Sequence, residues 1–218
     1  FFNSLLGMFI SWLIIAVIKG GTHLIYLGKP LRVWRIIAHP QTSWLSRGFI
    51  FVISFVGFGA VQLALSYWAA GSIAETVFKV LTAIAAFCVT FYTGIILMNV
   101  KGVPFWNSAL LPVLFVACGL LGGFGLAVVI SLTGGGIDLH TAEAGSRWLL
   151  IINAVLIGIY LWQASRKESV GKLTVLQQLK GENAPVFWIG VVILGIIIPL
   201  IVAITGQVSQ VVPAPVLL

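Results

Sequence analysis

The sequence predicts an all-α fold, a polytopic transmembrane helix bundle of six spans. Three observations carry that prediction. Apolar residues make up 60% of the chain and charged residues only 8%, a balance that places it outside the soluble globular class. Six stretches reach the roughly 20 predominantly apolar residues that a span requires, namely 1–27, 49–70, 76–99, 108–132, 147–165 and 185–206. The connections are short and punctuated by Gly71-Ser72, Gly134-Gly135-Gly136 and Gly181-Glu182-Asn183, so residues 1–218 read as a single transmembrane bundle without a soluble domain. Phe1 lies inside one apolar run and Leu218 at the opening of another, and truncation at both ends is expected.

In the first span, Lys19, His23 and Tyr26 are spaced by four and three residues and share a helix face. Ionisable groups inside a span are costly to bury and point to function by default. On one reading they form a proton or quinone-headgroup site, with His23 able to donate to a carbonyl and to change charge near neutral pH. On the other, Lys19 snorkels to the surface and His23 satisfies a neighbouring helix.

The segment Gly28 to Gly48 collects Lys29, Arg32, Trp34, Arg35, His39, Trp44 and Arg47 between two apolar stretches. Such a segment belongs at a membrane surface, where Trp occupies the headgroup region and Arg reaches phosphate or a partner's carboxylates. Leu31, Trp34 and Ile37 recur every three residues, which predicts a short interfacial helix starting after Pro30 and stopping at His39-Pro40.

The third span ends in Thr90, Tyr92, Thr93 and Asn99, where a Tyr hydroxyl would serve a ligand or an interhelical hydrogen bond. Gly119 to Gly125 in the fourth span points to flexibility or close packing. Asp138, His140 and Glu143 follow the triple glycine with a spacing that matches no metal motif, and they read as a wet loop. Asn153, Tyr160 and Gln163 repeat the polar pattern on the fifth span. Between Arg166 and Asn183, Val170, Leu173, Leu176 and Leu179 predict a second interfacial helix.

Alternating the loops across the membrane puts nine cations on one side, Lys29, Arg32, Arg35, Arg47, Lys101, Arg166, Lys167, Lys172 and Lys180. Only Lys79 and Arg147 fall on the other, with Lys19 inside a span. That asymmetry places the basic side in the cytoplasm. The cations lie in short loops and form no aromatic-lined groove, which argues against nucleic acid. Cys88 and Cys118 stand about thirty residues apart in apolar runs, so an iron–sulfur cluster cannot be built from this chain. Of His23, His39 and His140 only His23 falls within a span, which argues against intrinsic haem. No nucleophilic triad, phosphate-binding glycine loop or catalytic carboxylate pair is present, so no catalytic residue is assigned.

Four segments in order, HLIYLGKPLRVWRIIAHPQTSWLSRG, FYTGIILMN, VPFWNSALLPVLFVACGLLGG and SVGKLTVLQQLKGENAPVFWIGVVILGIIIPL, resemble the NrfD-like membrane subunits of the polysulfide reductase type. The resemblance implies that the spans are helices two to seven of eight, in a prokaryotic cytoplasmic (inner) membrane. It implies an anchor without haem or cluster that exchanges electrons between menaquinone or ubiquinone and a four-cluster ferredoxin-like iron–sulfur subunit, with a molybdopterin catalytic subunit beyond. His23, Tyr26 and Tyr92 would then meet the quinone and Lys19 would relay protons. Lys29, Arg32, Trp34, Arg35, His39 and Trp44 would dock the iron–sulfur subunit beside membrane lipids. Tyr26 departs from the Asp or His that many members carry before Leu-Gly. In many members this loop faces outward, so the resemblance and the charge count leave two topologies, of which the charges favour the cytoplasmic. A secondary transporter or channel and a passive anchor without a quinone site are the alternatives.

Overall fold

The computed structural model describes residues 4–26, 30–38, 40–103, 105–133, 136–166 and 169–205, with the side chains at 23, 24, 26, 30, 31, 33, 38, 169–171 and 203–205 outside that description. Every regular element among the described residues is helical, as expected where the backbone must satisfy its own hydrogen bonds in lipid. In order they are α1 (Leu5–Leu13), a π-helical continuation Ile14–Lys19, α2 (Gly20–Tyr26), a 3-10 helix Pro30–Ala38, α3 (Trp44–Trp68), α4 (Ile73–Met98), α5 (Leu110–Leu132), α6 (Leu139–Arg166), α7 (Ser169–Lys180), a π segment Val186–Ile197 and α8 (Ile198–Thr205). Among the described residues five helices are long and apolar enough to cross a membrane: Leu5–Thr22, α3, α4, α5 and α6. Val186–Val202 is a shorter apolar helix in the place of the sixth expected span. The protein is therefore an all-α, multi-pass membrane protein.

Capping chemistry moves several helix starts outward from the expected boundaries. α3 starts at Trp44 because the Ser43 hydroxyl accepts the Ser46 N–H at 3.4 Å, and α4 starts at Ile73 because the Ser72 hydroxyl accepts the Glu75 N–H at 3.1 Å. Gly71 turns the chain between them at φ +83°, a conformation that L side chains resist. α6 begins at Leu139, well before residue 147, because the Asp138 carboxylate accepts the Thr141 hydroxyl and, at 3.1 Å, the Thr141 N–H. These bonds, the hydroxyl first, hold the Asp138 carboxyl below its ordinary 3.8. His140 and Glu143 thus belong to a helix, correcting the expectation of a loop through residue 146.

The contacts divide the chain into two compact units, Phe1–Ile96 and Leu97–Leu218. In the first, Phe55, Ala85, Val89 and Tyr92 form a core onto which Trp12, Ile15, Phe51 and Val56 pack. Trp12 Nε1 donates to the Val56 carbonyl at 2.9 Å. The indole fits because residue 59 is Gly: a Cβ there would lie 2.5 Å from Trp12 Cδ1. In the second unit, α5 packs on α6. Asn153 Nδ2 donates to the Ala117 carbonyl at 3.1 Å, Tyr160 Oη donates to Phe105 at 2.7 Å and Ser108 Oγ donates to Gln163 Oε1 at 2.6 Å. The polar residues expected on the fifth span are thus spent on helix-to-helix and helix-to-loop bonds. Val113 and Leu120 on α5, and Ile152, Val155 and Ile159 on α6, remain exposed.

Candidate functional site

The basic segment forms an arm at one end of the first unit. Its three-residue periodicity is that of a 3-10 helix, 3.0 residues per turn, and the structure runs that helix over Pro30–Ala38. Arg32 and Arg35 are exposed. Trp34 is 63% exposed with the Arg35 guanidinium 5.5 Å from its ring centre, and Trp44 is 39% exposed beneath Arg47 at 4.5 Å. Lys29 and His39 lie outside the described residues.

Arg47, read from the sequence as one of the surface cations, and Ser46, which the sequence did not single out, hold the arm in place. Arg47 donates from Nε to the Pro40 carbonyl and from Nη2 to the Gln41 carbonyl, both at 2.7 Å. Ser46, almost fully buried, donates its hydroxyl to the Ile36 carbonyl. Together they close the turn between the 3-10 helix and α3, leaving Arg32, Trp34 and Arg35 turned outward.

One helical turn into α3, Gly48 lies against Tyr92: a Cβ at residue 48 would sit 1.9 Å from Tyr92 Cε2. The Tyr92 ring is 8% exposed and packs 6.3 Å from Phe51. Tyr92 therefore lies in the unit that carries the arm, walled by glycine and aromatic carbon. His23 and Tyr26 are helical, with side chains outside the described part. Lys19 ends the π segment.

Toward the other end of the same unit, a mostly apolar cavity carries a few polar side chains on its wall. The cavity, of about 270 Å³, is lined by Ser11, Trp12, Phe55, Gln62, Lys79 and Thr82 among others. Gln62 is 7% exposed and, among the described residues, its amide donates to the Met8 thioether, a weak acceptor. Thr82 Oγ1 is buried without a hydrogen-bond partner among the described residues. Lys79 Nζ pairs with Glu75 Oε1 at 2.8 Å. Glu75, 5% exposed, also accepts the Ser66 hydroxyl at 2.8 Å and the Gly71 N–H at 2.6 Å. Lys79, counted from the sequence on the sparsely charged side, is partly buried and lines this cavity. Pairing residues 62, 79 and 82 across two helices needs the fold; the one local signal was Glu75 and Lys79 four residues apart.

Comparison with known proteins follows this geometry. The family model described as Polysulphide reductase, NrfD matches residues 3–216. Among curated proteins, the chain is similar to Protein NrfD homolog of Haemophilus influenzae (strain ATCC 51907 / DSM 11121 / KW20 / Rd), at 32% identity over 115 residues that cover 50% of this chain and 36% of that protein. The chain spans about a third of the length of the curated relative that it matches. No solved structure matches.

Proposed function

The chain belongs to the NrfD polysulphide reductase family, and on that premise we propose that it is the quinone-interacting membrane anchor of a respiratory iron–sulfur and molybdopterin oxidoreductase complex. The observation that carries this reading is the arm latched by Ser46 and Arg47 one turn above the buried Tyr92. An outward row of Arg and Trp is the composition that protein interfaces favour. Carboxylates on a four-cluster ferredoxin-like subunit would meet Arg32 and Arg35, with Trp34 and Trp44 as apolar anchors beside them. Lys29 and His39 belong to the same docking face.

The residues near Tyr92 suit a neutral ring. A buried aromatic with a hydroxyl, set against Phe51 and glycine, supplies apolar walls and one polar contact, the usual balance in cofactor pockets. Menaquinone or ubiquinone, when bound, supplies carriage of two electrons and two protons. Tyr92 would line the pocket, His23 would hydrogen-bond a ring oxygen, Tyr26 would close the rim and Lys19 would move protons. The pocket belongs to the arm's end because the electron partner docks there. The charge asymmetry favours a cytoplasmic arm in a prokaryotic inner membrane.

His23→Ala tests the reading in the intact complex. Quinol-dependent turnover should be abolished while artificial-dye activity of the catalytic subunit persists. Unchanged quinol kinetics with the iron–sulfur subunit still copurifying would leave a passive anchor. Solute uptake by an isolated oligomer, with no cluster-bearing subunit attached, would favour a transporter.

A further inference from the structure

We propose that the groove between the start of α5 and the end of α6 binds one phospholipid with an anionic headgroup, its acyl chain along α6, an ester carbonyl at Gln163 and its phosphate at Arg166. The groove has a volume of about 370 Å³ and is walled by Ala109, Leu110, Ile159, Trp162 and Gln163. Ile152, Val155, Ile159, Trp162 and Arg166 succeed one another at intervals of three, four, three and four residues, so they form one stripe along α6, and all five are exposed. From Ile152 to Trp162 the rise is about 15 Å, half of a hydrocarbon core about 30 Å thick. Arg166 stands about 6 Å further along, at the height of the headgroups. The stripe is thus apolar for the depth of one leaflet and cationic where phosphate begins.

Two polar groups select the occupant. The Arg166 guanidinium lies 5.2 Å from the centre of the Trp162 ring and makes no ion pair among the described residues, so its charge is available to a phosphate. Ser108, which is buried, donates its hydroxyl to Gln163 Oε1 at 2.6 Å. That bond fixes the amide and leaves Nε2 without a partner among the described residues. Gln163 lies about 4.5 Å deeper along the helix than Arg166, in the order in which a glycerol ester lies beneath its phosphate. A protein helix laid in the groove has its carbonyls committed to its own turns and offers Nε2 no backbone acceptor, whereas an ester carbonyl is unclaimed. A quinone's isoprenoid tail would cover the apolar stripe but brings no charge to Arg166. The chain's net charge of +7, with nine cations assigned to this side, adds a general attraction for anionic lipid. The site stands independently of the quinone reading.

Brominated lipids, which quench tryptophan at contact range, test the site in the intact complex. The chain carries eight tryptophans, and the difference between wild type and Trp162→Phe isolates the one in the groove. In vesicles of phosphatidylcholine, phosphatidylglycerol brominated near the top of its acyl chains should quench this component at about one fifth of the mole fraction that brominated phosphatidylcholine requires, the worth of one cation beside an anionic lipid. Arg166→Ala should erase that preference and leave quenching by phosphatidylcholine as it was. Equal quenching by the two lipids in the wild type would reduce the groove to ordinary bilayer contact and overturn the proposal. A Trp162 component that neither lipid quenches would mean that protein covers the stripe, and would overturn it equally. If Trp162→Phe fails to assemble, native mass spectrometry of the wild-type complex, supplied with equal amounts of the two lipids, should show phosphatidylglycerol retained about fivefold over phosphatidylcholine; equal retention would overturn the proposal. Neither readout involves quinol turnover, so a failure of the His23→Ala test would leave this site standing.

Discussion

The two ends of the first unit are built inside out with respect to each other. At the arm, Arg32 and Arg35 stand outside, while the interior around Phe51, Val89 and Tyr92 is apolar. At the Gly71 turn, Tyr67, Trp68 and Ile73 are 73%, 80% and 86% exposed, while Glu75, Lys79 and Gln62 lie within. An exposed cation keeps its water and is free to attract a partner. A buried one must carry its counter-charge with it. The same residue types thus stand outward at one end and pair with a counter-charge at the other, and burial distinguishes the two.

Breaking the inner pair should have the largest effect. Glu75→Ala removes the acceptor of Ser66, Gly71 and Lys79 and leaves a half-buried ammonium without its acid. Denaturant unfolding in detergent should show a lower midpoint than any of the variants that follow, and a midpoint matching Gly48→Ala would show that Lys79 escapes to solvent. Gly48→Ala comes next. Its Cβ overlaps the Tyr92 ring, and overpacking of this kind costs about 1–3 kcal/mol, readable as a fall in thermal midpoint and a change in tyrosine emission.

Arg47→Ala probes the outer end. It removes two hydrogen bonds to the Pro40–Gln41 turn, a loss of about 1 kcal/mol for so accessible a site, but it should release the arm. Copurification of the proposed iron–sulfur subunit should fall more than stability does; equal losses would reduce Arg47 to a fold element. The smallest effect concerns Asp138, a carboxylate with local partners only. Its folded pKa is depressed, so its contribution is present above the ordinary 3.8 and is lost as pH falls through the lower folded value. Amide exchange at Thr141, corrected for intrinsic rate, should accelerate over that acid range and stay constant near neutrality. Asp138→Asn should flatten the response.

What was legible in the sequence is what a single helix expresses alone. Runs such as 108–132 announce a span because hydrocarbon thickness sets a minimum length, and Leu31, Trp34 and Ile37 announced a short surface helix by their interval. The start of α6 was misplaced because glycines and polar residues through Arg147 look like a loop, although Asp138 ahead of Thr141 is a capping signal. The inner polar site was illegible for another reason. Gln62 and Thr82 are isolated polar residues in apolar runs, without a period of their own, and their meaning comes from meeting across α3 and α4. Gly48 and Tyr92 share that character: a glycine in a span has many uses until its neighbour is known.

The 3-10 geometry of the arm sets the pitch at which it can be read. With three residues per turn and a rise of about 2 Å each, side chains three apart stand in straight files at intervals of about 6 Å, so Arg32 and Arg35 form one file and Trp34 and Ile37 another. Acids four apart on an α-helix repeat at the same interval of about 6 Å. A straight acidic helix laid along this file would keep step with both guanidinium groups, whereas rewinding the arm to 3.6 residues per turn would swing them out of line.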